Sequence, residues 1–185
     1  MAEGGAGGRV IRVRQAVPGD AEAISRVCTA GWRDTYAALH SQEYIDHVVG
    51  KFYSQERLLE EIVHHPDWDG WQVAEQGGVL LGAGGGGLIS PERWEIFVLY
   101  LDPDFRRQGA GSALVAEMTG QALLHGASEQ WVSAAKGNVK GLPFYEALGF
   151  TVQSERTSTF APTGETISSL RLMRPLPEID GAKQP

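Results

Sequence analysis

The chain has 185 residues, of which 42% are hydrophobic and 21% are charged, and its formal net charge is -7 at neutral pH. These values are typical of one soluble globular domain and exclude a disordered or fibrous protein. The negative charge argues against a general nucleic-acid-binding protein and is compatible with a cationic amine ligand. Cys28 is the only cysteine and no long apolar segment is present, so a cytoplasmic protein that does not enter a membrane is expected.

The first half of the chain predicts a short strand, three helices and a hairpin. Residues 1–8 are rich in glycine and are predicted to form a disordered leader. After a strand at residues 10–13, Asp20 is predicted to cap the first helix. Apolar periodicity and turn residues then predict two more helices, near 43–49 and 54–65, and two strands, 71–75 and 79–88, joined by a Gly77-Gly78 turn.

Four successive glycines, residues 84–87, lie inside the second strand of this hairpin. Because glycine loses the most backbone entropy on folding, such a run indicates a bulge, a bend or a ligand close to the backbone. A flexible hairpin end explains it equally well. A phosphate-binding nucleotide loop is not expected here, because no lysine and helix start follow the glycines.

The second half of the chain continues the alternation of strands and helices. The predicted elements are a strand at 94–101, a helix at 109–125, a strand at 130–134, a short helix ending near 148, a strand from 150 and a last strand at 166–173. Together they predict one α/β domain over residues 9–175, with a mixed sheet covered by helices on both faces. Residues 176–185 are predicted to be an irregular tail.

The segment Arg106-Arg107-Gln108-Gly109-Ala110-Gly111 lies between an apolar strand and a helix that begins near Ser112. The first N–H groups of a helix lack intrahelical partners and lie at the positive end of its dipole, so a small-residue turn before them forms an anion site. The spacing fits neither the dinucleotide fingerprint nor the phosphate loop of nucleotide hydrolases. A different phosphate-bearing ligand is therefore expected.

This segment resembles motif A of the GNAT superfamily of acetyl-CoA-dependent N-acetyltransferases, which holds the cofactor pyrophosphate. A second stretch, Asn138 followed by Phe144-Tyr145-Glu146-Ala147-Leu148-Gly149-Phe150, is similar to another motif of the same superfamily. The resemblance implies the GNAT fold, an α/β fold with a mixed, mostly antiparallel sheet of about seven strands flanked by helices on both faces. It also implies transfer of an acetyl group from acetyl-CoA to a primary amine of a small molecule or peptide.

The same resemblance implies a set of cofactor-binding residues. Main-chain groups of Leu99 and Leu101 are expected to bond the pantetheine arm like an added β-strand. Lys136 and Lys140 are further cations that could face the phosphates. The remaining expected contacts are Arg106, Arg107, Gly109, Ala110, Gly111, Ser112 and Asn138.

Two residues are expected to carry the chemistry. Tyr145 matches the family tyrosine that protonates the departing thiolate, although a buried tyrosine is more often a core residue. Glu95 matches the general-base glutamate of the histone-acetylating branch, acting directly or through water. The alternatives are a water network as the base and a solvated strand-end carboxylate with no catalytic role. Strand alternation predicts that Glu95 shares a face with Phe97, Leu99 and Leu101, where apolar neighbours would raise its pKa.

Trp32 and Tyr36 lie four residues apart on the first helix and share a face. They are expected either to pack together or to line the acceptor pocket, as the first helices do in this superfamily. No metal site is expected, because the five histidines lack metal-ligand spacing. The identity of the amine stays open, as does a homodimer, and a non-catalytic acyl-CoA-binding regulatory module is the alternative function.

Overall fold

A computed structural model of the protein describes residues 10–158 and 164–177. The helices and strands occur in the order that the sequence predicts, with small shifts in their ends. The strands are β1 (Arg12–Gln15), β2 (Gln72–Gln76), β3 (Val79–Ser90), β4 (Arg93–Leu101), β5 (Glu129–Ala135), β6 (Thr151–Ser158) and β7 (Ile167–Pro175). The helices are α1 (Ala21–Tyr36), α2 (Gln42–Phe52), α3 (Gln55–Val63), α4 (Ala110–Leu124) and α5 (Gly141–Ala147).

Within the described residues, the strands form one seven-stranded sheet in the order β1-β2-β3-β4-β5-β7-β6. Every neighbouring pair is antiparallel except β4 and β5, which run parallel. A parallel pair needs a crossover connection, and α4 supplies it between these two strands. The predicted mixed, mostly antiparallel sheet is confirmed.

Helices cover the two faces of the sheet and enclose two hydrophobic cores. On one face, Leu114 and Met118 of α4 are fully buried and pack with Ile96 of β4. On the other face, α1 packs on the sheet with α2 and α3 against it, and Ile24 is buried with Val73 of β2. The predicted helical layers on both faces are confirmed. None of the described helices is long and apolar enough to cross a membrane.

The start of α1 differs from the prediction. Asp20 precedes the helix, but its side chain makes no cap hydrogen bond to it. The carboxylate instead accepts hydrogen bonds from the main-chain N–H of Val17 at 2.8 Å and from the Arg14 guanidinium at 2.7 and 3.0 Å. Asp20 therefore stabilises the 3₁₀ turn Pro18–Asp20 that precedes the helix, and the predicted helix cap is wrong.

The predicted ends of the chain lie mostly outside the described residues. This holds for the predicted leader, residues 1–8, and for residues 178–185 of the predicted tail. At the start of that tail, Leu176 is buried and donates its main-chain N–H to the Ser128 carbonyl at 2.8 Å. The first residue after β7 therefore still belongs to the packed domain.

A bulge interrupts the pairing of β4 with β3. Gly85 pairs with Val98, whereas the next residue, Gly86, pairs with Ile96, so that Phe97 has no partner on β3. An extra residue of this kind shifts the alternation of side chains by one position. Before the bulge the even-numbered residues of β4 face the α4 side, and beyond it the odd-numbered residues do so.

This shift overturns the predicted surroundings of Glu95. Trp94 before the bulge and Leu99 and Leu101 beyond it all contact the core on the α4 side. Glu95 therefore points to the other face of the sheet, and its predicted alignment with Leu99 and Leu101 is wrong, whereas Phe97, which contacts Trp68, shares its face. Strict alternation fails here because the bulge depends on the pairing with β3.

The glycine run at residues 84–87 accommodates two tryptophan rings. A Cβ at Gly85 would lie 2.5 Å from Cζ3 of Trp68, and a Cβ at Gly86 would lie 2.5 Å from Cη2 of Trp94. Real Cβ atoms do not approach other atoms so closely. Of the alternatives left open by the sequence, the bulge is present, and the groups that approach the glycines are the main-chain carbonyls of Gly70 and Glu95 together with the two tryptophan rings.

Candidate active site

A cavity of about 530 Å³ lies where β4 and β5 separate. The two strands pair only between Arg93–Ile96 and Glu129–Val132. Beyond these residues they diverge, so the main-chain groups of β4 that face β5 are open to a ligand. Leu99 and Leu101 line this opening, as the sequence predicts. An extended ligand can bond there as an added strand does.

The turn before α4 contributes Arg106, Arg107 and Gly109 to the same cavity. Gly109 precedes the helix with φ at 94° and provides no side-chain cap. Arg107 has φ at 61°, a conformation that is uncommon outside glycine and often marks a functional site. The first N–H groups of α4 and the positive end of its dipole therefore remain available to an anion.

Gly111 lines the cavity and also allows α4 to pack closely on its neighbours. A Cβ at this position would lie 3.2 Å from Cδ1 of Leu101 and 3.3 Å from Cζ of Phe144. Ala110 is buried and Ser112 is exposed, and neither side chain belongs to the described lining of the cavity. Both residues lie in the first turn of α4, where main-chain N–H groups lack intrahelical partners.

An acidic side chain of α1 contacts the cations beside this turn. Asp34 accepts a hydrogen bond from Nζ of Lys140 at 2.6 Å and forms an ion pair with Arg106. The Lys140 and Arg106 contacts hold the pKa of Asp34 below its usual value. Lys136, by contrast, pairs with Glu155 of β6 and does not line the described cavity. Asp34 therefore balances two of the positive charges at the anion site.

Asn138 lines the cavity and fixes the start of α5. Its Oδ1 accepts hydrogen bonds from the main-chain N–H groups of Lys140 at 3.2 Å and Gly141 at 2.8 Å. The helix begins at Gly141, and Pro143 lies in its first turn, where a missing N–H costs no intrahelical bond. The proline thus shortens the helix and leaves Asn138 in the loop that faces the cavity.

Tyr145 of α5 lines the cavity from a buried position, with 8% of its surface exposed. Its ring packs edge-on against Phe144 and Phe150, at centroid distances of 5.3 and 5.6 Å. Burial raises the pKa of the Tyr145 hydroxyl above its ordinary value, and the nearby Tyr36 adds to this effect. The phenol is therefore protonated at neutral pH and can act as a proton donor.

The two aromatic residues predicted for the acceptor pocket have different positions. Tyr36 lines the cavity, whereas Trp32 is buried beside it and is not part of the described lining. Their ring centroids are 4.1 Å apart, and His40 and Tyr44 extend the same aromatic cluster. Trp32 therefore supports the Tyr36 ring from behind.

Glu95 lies next to the cavity, outside its described lining. Its carboxylate forms an ion pair with Arg171 of β7, and the Glu95 and Arg171 side chains are 13% and 9% exposed. Ser133 of β5 lines the cavity and contacts both of them. The carboxylate thus contacts a cation and a hydroxyl, and the predicted neighbours Leu99 and Leu101 are on the other face of the sheet. No aspartate or glutamate occurs among the cavity-lining residues that the structure describes.

Three residues of the site have no motif in the sequence that would identify them. Ser133 lies between the buried Val132 and Ala134, so strand alternation alone places it on the other face of β5. Tyr100 lines the cavity, but in the sequence it is one residue of an apolar strand and no motif marks it. Asp34 contacts residues that are 72 and 106 positions away in the chain, which no local pattern can indicate.

Comparisons with known proteins agree on one family. Residues 32–150 match the model of the acetyltransferase (GNAT) family. Spermidine N(1)-acetyltransferase of Thermoplasma acidophilum is 28% identical over 158 residues, which cover 81% of this chain and 94% of that protein. The ribosomal protein bS18-alanine N-acetyltransferase of Escherichia coli is 29% identical over 68 residues, or 37% of this chain and 46% of that protein.

A solved structure shows the same architecture. The PaiA N-acetyltransferase of Thermoplasma acidophilum, in complex with coenzyme A, superposes with a TM-score of 0.77 at 25% sequence identity. The superposition covers 90% of this chain and 99% of that protein. The predicted GNAT fold is confirmed.

Proposed function

The chain belongs to the GNAT acetyltransferase family, and we propose that it transfers an acetyl group from acetyl-CoA to a primary amine of a small molecule or peptide. The observation that carries this proposal is one continuous cavity. It joins the anion-binding turn before α4, the open edge of β4 and the buried hydroxyl of Tyr145. Cofactor anchoring and proton donation are therefore available in one space.

Acetyl-CoA supplies the activated acetyl thioester, and the described residues fit its chemistry. The glycine turn and the helix N-terminus suit a pyrophosphate, while Arg106 and Arg107 add positive charge at the same place. The open main-chain groups at Leu99 and Leu101 suit the amide-rich pantetheine arm. The other residues assigned to the cofactor are Gly109, Ala110, Gly111 and Ser112, through main-chain N–H groups, and Asn138.

Tyr145 is assigned as the general acid that donates a proton to the departing thiolate. Burial keeps the phenol protonated at neutral pH, so its proton is available to the sulfur as negative charge develops there. Glu95 is assigned as the group that finally accepts the proton of the attacking amine. Its carboxylate lies beside the cavity at a fixed position, held by Arg171.

The acceptor is assigned to the part of the cavity lined by Tyr36, with Trp32 supporting that ring. A positively charged amine is compatible with aromatic faces and with the net charge of -7. The acceptors named for the relatives are spermidine and the alanine of a ribosomal protein. Both a polyamine and a peptide N-terminus are therefore candidates. We place the activity in the cytoplasm, because the chain's one cysteine, Cys28, is a buried free thiol.

The decisive experiment is a turnover screen with the full chain. Acetyl-CoA is mixed separately with spermidine, lysine and a peptide that begins with alanine, and free thiol release is measured against hydrolysis without amine. Acetyl transfer to at least one of them, at about ten times background or more, is the expected result. Binding of acetyl-CoA without transfer to any amine would instead support the non-catalytic acyl-CoA-binding module.

A further inference from the structure

Three polar side chains from three strands meet on the sheet face opposite α4. Glu95 of β4 is level with Trp131 of β5, and Ser133 of β5 is level with Arg171 of β7. The guanidinium of Arg171 lies 5.2 Å from the Trp131 ring centroid, which limits its movement. Arg171 and Glu95 are nearly buried, whereas Ser133 is exposed and lines the cavity. Ser133 is thus the member of this cluster that a bound amine can reach.

The hydrogen bonds of the cluster orient the Ser133 hydroxyl. Arg171 Nη1 lies 2.9 Å from Ser133 Oγ and pairs with Glu95 Oε1. A guanidinium has donors only, so Ser133 Oγ must accept this hydrogen bond. Its own proton is then directed to another acceptor, and Glu95 Oε1 lies 3.5 Å away. Hydrogen bonds in catalytic sites are often long before substrate binds and shorten in the complex.

We propose that Ser133 relays a proton from the acceptor amine to Glu95, and that Arg171 is the positioning residue of this relay. The inference rests on the proposed acetyl transfer. An N–H bond of the ammonium breaks and its proton passes to Ser133 Oγ, while the original hydroxyl proton passes to Glu95 Oε1. The nitrogen regains its lone pair, Ser133 is again a neutral hydroxyl, and Glu95 carries the proton.

A second arginine, Arg93, contacts the same tryptophan ring as Arg171. Arg93, two residues before Glu95 on β4, lies 5.3 Å from the Trp131 ring centroid and pairs with Glu129 at 2.9 Å. It thus holds a guanidinium over the same ring as Arg171 does, yet its ion pair is with a different carboxylate. Arg93 is therefore a matched control for Arg171.

The test measures turnover of the full chain with acetyl-CoA and the best amine from the screen, from about pH 6 to pH 9.5. Ser133→Ala should lower kcat at least tenfold near neutral pH and recover partly at high pH, where free amine is abundant. Ser133→Thr keeps a hydroxyl and should stay within a few fold of the parent. The affinity for acetyl-CoA, measured by calorimetry, should be unchanged in both variants.

Coupling between the residues separates a relay from independent effects. If Ser133 passes the proton to Glu95, the double variant Ser133→Ala/Glu95→Gln should be no slower than the slower single variant. Arg171→Met should lower kcat near neutral pH, as Ser133→Ala does, and Arg93→Met should leave the pH profile of kcat unchanged. Both substitutions remove a guanidinium from the same tryptophan ring, so an effect that arises from losing this ring contact would appear in both.

Two results would overturn the inference. One is a Ser133→Ala variant with the parent rate and pH profile, and the other is multiplicative losses in the double variant. If Ser133→Ala does not fold, Ser133→Val, which has no hydroxyl and suits a strand, takes its place with the same expected losses. A parent protein that acetylates no amine would instead reject the proposed function itself.

Discussion

Replacement of Tyr145 by phenylalanine gives the sharpest test of the chemical assignment. The change removes one hydroxyl and keeps the ring between Phe144 and Phe150. Because the ring and its packing are kept, the free energy of unfolding should change by no more than about 1 kcal/mol, the usual value of one hydrogen bond. If the phenol protonates the departing thiolate, kcat should fall by about 10²-fold to 10⁴-fold, which is the usual contribution of general acid catalysis.

The pH dependence of this variant adds a second criterion. Burial raises the pKa of Tyr145 above the ordinary value of 10.0, so the acid form is present throughout roughly pH 6–9. The rate ratio of parent to Tyr145→Phe should therefore be constant across that range. A ratio that declines toward one as the pH rises within this range would show that the phenol ionises early, contrary to its buried environment.

The assay is thiol release under saturating acetyl-CoA, combined with calorimetric measurement of acetyl-CoA affinity. The affinity should stay within a few fold of the parent, because the acid acts mainly in the transition state. Tyr53→Phe is the control, since Tyr53 is equally buried but belongs to the other core. A Tyr145→Phe protein that folds, binds acetyl-CoA and turns over at the parent rate would refute the acid role.

Three further substitutions test the cofactor turn and the sheet. Gly109→Ala should weaken acetyl-CoA binding at least tenfold, about 1.4 kcal/mol, because alanine is strained at the φ of 94° found there, although a Cβ would have space. Gly120→Ala, at an open helical site, is the control, and affinity is measured by calorimetry. Equal affinities of the two variants for acetyl-CoA would contradict this reasoning. Asp34→Asn should strengthen acetyl-CoA binding at low salt by freeing two cations for phosphate, with the gain lost at high salt; weaker binding would mean that Asp34 holds these cations in place. Gly86→Ala should lower the free energy of unfolding by about 2 kcal/mol or more, as urea unfolding would show, because a Cβ there meets the Glu95 carbonyl and the Trp94 ring. Gly50→Ala, with open space around it, should not lower it, and equal stabilities of the two variants would contradict these close contacts.

Local patterns in the sequence were sufficient to predict most elements of the fold. Apolar periodicity marks α4 and β4, and the turn at Gly77 and Gly78 joins β2 to β3, with both glycines at positive φ. The small-residue turn before α4 could be predicted for the same reason, since a strand, this turn and a helix start are contiguous in the chain. Features of this kind depend on neighbours along the sequence.

The features that the sequence did not predict depend on distant partners. The bulge at Phe97 arises from pairing with β3, and it moves Glu95 to the face where Arg171 lies. Asp20 stabilises a turn instead of the helix because Arg14 is within reach. The role proposed for Ser133 depends on its contacts with Glu95 and Arg171, which lie on two other strands. Side-chain roles in this site are thus set by the order of strands in the sheet, which no single segment contains.

The separation of β4 from β5 affects how mutations can change this site during evolution. A ligand bound along the open edge at Leu99 and Leu101 meets peptide groups, which are the same whatever side chains stand there. Tyr36 and Ser133, by contrast, present side chains to the cavity. Under the proposed function, mutation can therefore alter the choice of acceptor while the edge assigned to the cofactor persists. For the same reason, an inhibitor anchored on the β4 peptide groups would offer point mutations few routes to resistance.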